Sequence, residues 1–218
     1  VTNKAVLTIE PGTVIRGDKE TCGTLVITKG AKIIAEGTET DPIVFTSNKS
    51  VLSRRPGDWG GIVILGDAPI NRLGGETFLD FGFDQNFGFY GGQNAQSNSG
   101  ILKYVRIEYA GHKFNATKEL NGLSLAGIGK ETILNFIQIS FSNDDSFECY
   151  GGDVVCNNLI SYLATDDDFD YTQGVQAVIA NSVAIRNPFS SDRSGSRCFE
   201  IDSYDKKELC DTSKKITK

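Results

Sequence analysis

The feature that most constrains this chain is that it repeats itself. Leu7-Thr8-Ile9-Glu10-Pro11-Gly12-Thr13-Val14-Ile15 recurs eighteen positions later as Leu25-Val26-Ile27-Thr28-Lys29-Gly30-Ala31-Lys32-Ile33, two short strands joined by a glycine turn in each copy. Further on, Asp144-Asp145-Ser146-Phe147-Glu148-Cys149 returns after twenty-two residues as Asp166-Asp167-Asp168-Phe169-Asp170-Tyr171, while Asn135, Asn158 and Asn181 head three similar segments twenty-three apart. Strands this short cannot bury a face alone, so each copy must be completed by stacking on the next. A sandwich also holds many short strands, but it does not require one face pattern at near-constant spacing. The repeat therefore predicts an all-β fold over residues 1–218: a single-stranded, right-handed parallel β-helix with coils about 4.8 Å apart.

Period-two alternation then assigns faces. It predicts inward columns of Ile137, Ile160 and Val183, and of Ile139, Tyr162 and Ile185, beside a ladder of Asn135, Asn158 and Asn181. Polar or irregular segments should cover the open coil ends, with 187–218 as an irregular C-terminal cap or a continuation of the coils.

Composition narrows the function classes. A formal net charge of -6 repels phosphate backbones, which excludes nucleic acid as the expected partner. No run of eighteen apolar residues occurs, so no transmembrane segment is expected, and a membrane anchor, if one is used, lies outside this chain. Cys198 with Cys210, and Cys149 with Cys156, are spaced for two local disulfides that leave Cys22 over; the alternative for Cys149 is a small buried core residue.

The wording Ile9-Glu10-Pro11-Gly12-Thr13-Val14-Ile15, Gly30-Ala31-Lys32-Ile33-Ile34-Ala35-Glu36-Gly37-Thr38, Pro42-Ile43-Val44-Phe45-Thr46-Ser47, Trp59-Gly60-Gly61 and Asp166-Asp167-Asp168-Phe169-Asp170 resembles the secreted or surface-anchored parallel β-helix proteins of Bacteroidetes-type bacteria. The likeness runs from about Leu7 to Arg186. It implies a protein that is secreted or held on the extracellular face of the bacterial outer membrane, in a family of unsettled activity, and it supplies no catalytic residues to transfer.

The acidic repeat is the chemistry most visible in the sequence. If Phe147, Phe169, Cys149 and Tyr171 point inward, Asp144, Ser146 and Glu148 point outward above Asp166, Asp168 and Asp170. Like charges one coil apart repel by about 0.9 kcal/mol in water and roughly 3.5 at an effective dielectric near 20. Hydration relieves the first, and a bound hard cation relieves the second. Asp144, Asp166, Asp168 and Asp170 are thus the metal candidates, with calcium as the ion, although the ordered pattern of an EF-hand loop is missing. Asp145 and Asp167 have inward parity and are expected to cap turn N–H groups, with Arg197 paired to Asp167. As a polysaccharide hydrolase or lyase, the chain would draw on Asp145, Asp167 and Asp168 as carboxylates and on Arg186 or Arg193 as the base. Ser146 has no histidine partner, and the lone His112 reads as part of an exposed loop.

The segment 72–100 departs from the repeat and reads as an aromatic, glycine-rich insertion. Phe81, Phe83, Phe87, Phe89 and Tyr90 either pack on a coil face or form a platform for a polysaccharide or a surface protein. The sequence reading is a non-enzymatic secreted or cell-surface binding or structural module for a glycan or a protein, with no required cofactor; its alternative is a polysaccharide-active lyase or glycoside hydrolase using the acidic coil face.

Overall fold

The computed structural model describes residues 1–80, 84–115, 118–191 and 195–218. The β-branched and aromatic runs form strands that return to the same faces coil after coil, giving two sheets with parallel pairing throughout: one of nine strands and one of six. This is the predicted parallel β-helix. Each coil contributes a long stretch to the nine-stranded sheet, as in Gly100–Glu108, Ile133–Ser140 and Asp153–Tyr162, then turns a corner and adds a short strand to the six-stranded sheet, as in Leu123–Ala126, Phe147–Tyr150 and Phe169–Thr172.

The long strands are bent. Tyr104, Phe136 and Asn158 sit at φ 50°, 53° and 55° inside them, and Asn181 at 53° follows in the next coil. Left-handed backbone is costly for tyrosine and phenylalanine, and stacking offsets part of that cost: the Tyr104 and Phe136 rings lie 4.5 Å apart and almost parallel.

The core fills the space between the sheets. In the six-stranded sheet Leu25, Ile62, Leu123, Phe147, Phe169 and Phe199 form one inward column and Ile27, Ile64, Leu125, Cys149, Tyr171 and Ile201 the next. Phe147 and Phe169 stack with centroids 5.4 Å apart. Opposite them run Ala35, Leu102, Leu134, Cys156 and Ile179.

Both inward columns were misplaced by the sequence spacing: Ile139 lies opposite Ser161, while Tyr162 lies opposite Ile185, which is 46% exposed. Ile137 lies opposite Leu159, so the step between these two coils is twenty-two residues, whereas Ile160 lies opposite Val183 at a step of twenty-three. The buried column is therefore Val105, Ile137 and Leu159, while Ile160 and Val183 face solvent at 36% and 46% exposure. A slip of one residue exchanges the two faces of a strand. The asparagine ladder shrinks for the same reason: Asn158 Nδ2 donates to Asn135 Oδ1 over 2.9 Å, but Asn135 is level with Asn157, and Asn181 is exposed at the bend.

The five cysteines are free thiols, which corrects the disulfide expectation. Cys149 and Cys156 point into the core from different sheets, each stacked on apolar neighbours, and burial pushes the Cys156 thiol up to about 12. Residues beyond Phe199–Ile201 run back along the corner beyond the six-stranded sheet, where Asp211 N donates to Asn71 O over 2.7 Å and Lys218 N to Val175 O over 3.0 Å. Lys206 to Lys218 therefore straps the side of the solenoid, and the last coil keeps Phe199 and Ile201 half exposed.

Candidate functional site

The outward face of the six-stranded sheet changes character along the axis. Val26, Val63, Ser124, Glu148, Asp170 and Glu200 follow one another in register, apolar in the early coils and acidic in the late ones. The apolar half is covered. The antiparallel hairpin of Glu76–Phe78 and Phe89–Gly91 brings Leu79 and Tyr90 onto Val63, Leu65 and Ala126, with Ile70 and Leu120 beside them. Tyr90 is buried there and donates its hydroxyl to Gln173 Oε1 over 2.9 Å, and burial raises its pKa to well above the usual phenol value. Of the aromatic candidates, Phe87 and Phe89 are exposed, Phe89 tilted against Phe78, while Phe81 and Phe83 lie outside the described residues.

The acidic half is open and forms a cavity of about 230 Å³. Glu148, Asp170 and Glu200 make its sheet wall. Asp144, Asp145, Asp166 and Asp167 enter from the corners that precede the strands, and Glu119 closes it from the short hairpin of Lys113–Asn115 and Lys118–Glu119. The expected solvated face is thus a recess in which Asp144, Asp145, Asp166 and Asp167 are more than nine-tenths buried. Its cationic contacts among the described residues are Lys113, whose Nζ lies 2.9 Å from Glu119 and 3.2 Å from Asp144, and Arg197, whose side chain reaches Glu200 at the edge.

Turn capping occurs as expected, but between coils. Asp145 Oδ1 accepts the Asp167 N–H over 2.9 Å, and Asp167 Oδ1 accepts the Arg197 N–H. The Arg197 side chain turns instead to Glu200 at 3.3 Å, so the expected ion pair with Asp167 is replaced by a backbone bond. Glu148 accepts from the Tyr150 hydroxyl and the Asn121 amide.

Charge is strained here. Burial, opposed by Lys113 and reinforced by Glu119, holds Asp144 up at about 8. Burial and a hydrogen bond that protonated Asp167 donates to Glu200 put Asp167 at about 8, and burial with the charges of Glu200 and Asp202 puts Asp170 at about 7. Asp145 and Glu148 are likewise pushed well above the carboxylate range, by burial first and by the neighbouring carboxylates second. Oxygens of Asp144, Asp145 and Asp166 all lie within 4.8 Å of one another, as do those of Asp145, Glu148 and Asp170. Calcium–oxygen bonds are 2.3–2.6 Å, so two oxygens on one ion stand at most about 5 Å apart, and both triads meet that limit. Asp170 Oδ1 is buried with no hydrogen-bond partner, which leaves an acceptor for an ion.

Asp168 belongs elsewhere. It is fully buried inside the corner, where Oδ2 accepts from Arg186 Nη1 over 2.8 Å and Oδ1 from the Ser161 hydroxyl, itself 2.7 Å from Ser146 Oγ. Its outward assignment fails because alternation breaks where the chain leaves the corner: Ser146 and Phe147, like Asp168 and Phe169, are buried as consecutive residues. Asp168 therefore stands apart from the carboxylate triads, and Arg186 is committed to it. Arg193 lies outside the described residues. His112 is half-buried, its Nδ1 3.4 Å from the Gly57 carbonyl, rather than in an open loop.

The sequence carried a signal for Glu148 and Glu200, which continue the Asp170 column, but none for Glu119 and Lys113, which reach the recess from a separate hairpin. Among the described residues no helix is long and apolar enough to cross a membrane. A family model described as a pectate-lyase like beta helix domain matches residues 1–217. No curated protein and no solved structure matches the chain.

Proposed function

The chain belongs to the pectate-lyase-like β-helix family, and from that premise we propose that it is an extracellular, non-catalytic binding module that holds calcium in the acidic recess. The observation that carries this reading is the convergence of Asp144, Asp145 and Asp166, and of Asp145, Glu148 and Asp170, each triad at distances that suit a hard cation, with Asp145 common to both. A cation would offset the burial and the mutual repulsion that keep these groups protonated, and the open side of the recess would give a ligand carboxylate or hydroxyl access to it. Exposed Phe87 and Phe89 offer a separate apolar contact for a glycan or a surface protein.

Calorimetric titration will find calcium binding that weakens by about tenfold or more in Asp145→Asn, the ligand common to both triads. Undiminished affinity in that variant excludes the site.

Stability should report the same chemistry. In the folded chain Asp144, Asp167 and Asp170 hold protons to about 8, 8 and 7, against 3.8 ordinarily. The folded state then binds more protons than the unfolded one, so stability is full below the unfolded value and is lost as pH rises through the folded values. With a chelator present, Tm will be several degrees lower at pH 8 than at pH 5, and excess calcium at pH 8 will restore it. A Tm that rises over that interval, or is indifferent to calcium, counts against the reading.

The raised values also favour a second reading, in which a protonated Asp144 or Asp167 serves as general acid beside an ionised neighbour in polysaccharide hydrolysis. Product analysis over acidic and neutral polysaccharides separates the two: turnover lost in Asp167→Asn with calcium uptake retained makes the protein an enzyme.

A further inference from the structure

We propose that a second cavity, of about 320 Å³ at the opposite end of the six-stranded sheet's strands, binds a monosaccharide-sized hydroxy-carboxylate. Three stretches distant in sequence build it: the turn at Pro69, Ile70 and Asn71, the loop at Gln93 and Ala95, and the C-terminal strap at Ser213, Lys214 and Lys215. Its floor is the glycine corner of successive coils, Gly152 and Gly174, so the cavity is a product of the solenoid and its strap together.

Its polar groups have a definite character. Lys214 Nζ and Gln93 Nε2 converge on Gly75, where a Cβ would stand 3.1 Å from the first and 3.4 Å from the second. Gly75 is buried at φ 80°, so the absence of a side chain there is what lets the two donors approach. Neither donor has a hydrogen-bond or ion-pair partner among the described residues; Lys214 feels only the charge of Asp211, whose carboxylate is taken up by Ser213. Asp153, the acid on the cavity wall, is neutralised by Lys130 at 3.2 Å. In a chain of formal net charge -6, this leaves a local cationic site.

An acceptor is also left open. Asn71 is 1% exposed; its amide nitrogen donates to Ser203 O over 2.6 Å and to Lys215 O over 3.3 Å, and its Oδ1 is buried without a partner. A ligand that satisfies the whole set must bring a carboxylate to Lys214 and Gln93, a hydroxyl donor to Asn71, and a compact body against Ile70, Pro69 and Ala95. That combination describes a sugar acid rather than a neutral sugar or a fatty acid.

NMR titration of the full chain tests this with three probes: D-gluconate, which has charge and hydroxyls; glucose, which has hydroxyls alone; and hexanoate, which has charge alone. Saturable gluconate shifts are expected at the Gly152 and Gly174 amides, with glucose and hexanoate each about tenfold weaker or more. Lys214→Ala combined with Gln93→Ala, both at accessible positions, will weaken gluconate by about tenfold with Tm unchanged. No saturable shift with gluconate, hexanoate binding as tightly as gluconate, or a double variant with full affinity would each overturn the assignment. Calcium binding at the acidic recess is measured separately, so either site can fail without the other.

Discussion

Replacing Arg186 with methionine will destabilise the protein by about 3–5 kcal/mol, the range found when one partner of a buried ion pair is removed. Asp168 has no exposed surface, and after the substitution its charge is left with the Ser161 hydroxyl alone. Arg186 also donates to the Arg197 carbonyl over 2.7 Å, so the corner of the last coil loses an anchor at the same time. Urea unfolding should show a lower midpoint at constant slope. A loss under about 1 kcal/mol, the range of an exposed pair, would mean that water reaches Asp168. The double variant Arg186→Met/Asp168→Asn sharpens the test. An uncharged amide can still meet Ser161, so much of the loss will return if the unpaired charge is its cause.

The second large effect compares two neighbours. Leu159→Ala will cost about 2–5 kcal/mol and Ile160→Ala about 0.5 or less, because only the first opens a cavity in a packed interior. Leu159 is 1% exposed beneath Ile137, while Ile160 projects outward beside Val183. Equal losses at the two positions would refute the register between these coils. The comparison is informative because the sequence spacing of twenty-three points to Ile160, and the strand pairing of twenty-two points to Leu159.

That one-residue difference shows where legibility stopped. Repetition is set by the need of every short strand for a neighbour, so the architecture can be read from spacing alone. The inward placement of Phe147 above Phe169 was legible for the same reason, since each aromatic recurs between acidic residues at the repeat spacing. Faces near a bend are not legible in this way. Phe136 and Asn158 adopt left-handed backbone, which interrupts alternation without any glycine to mark it, and the corner before Phe169 turns Asp168 inward against the parity of its neighbours. The recess was half visible. Carboxylates on consecutive coils could be lined up by period, whereas Lys113 and Glu119 arrive through an irregular excursion whose position depends on tertiary packing. Tyr90 could not be told apart from the neighbouring rings of the insertion, because nothing in its local sequence announces Gln173 as a buried partner.

The sheet wall of the recess takes its spacing from the hydrogen-bond repeat between strands. Glu148, Asp170 and Glu200 are one rung apart because peptide groups are, and that interval is a property of the main chain. The backbone is a ruler for the ligand set. Substitutions in the core can lower the melting point of such a protein while leaving the axial distances between its carboxylates unchanged. Inserting or deleting a whole coil alters the number of ligands in integer steps, with no retuning of the rest. Ion preference along this face is thus open to change by length as well as by side-chain identity, a route that a site assembled from unrelated loops does not have.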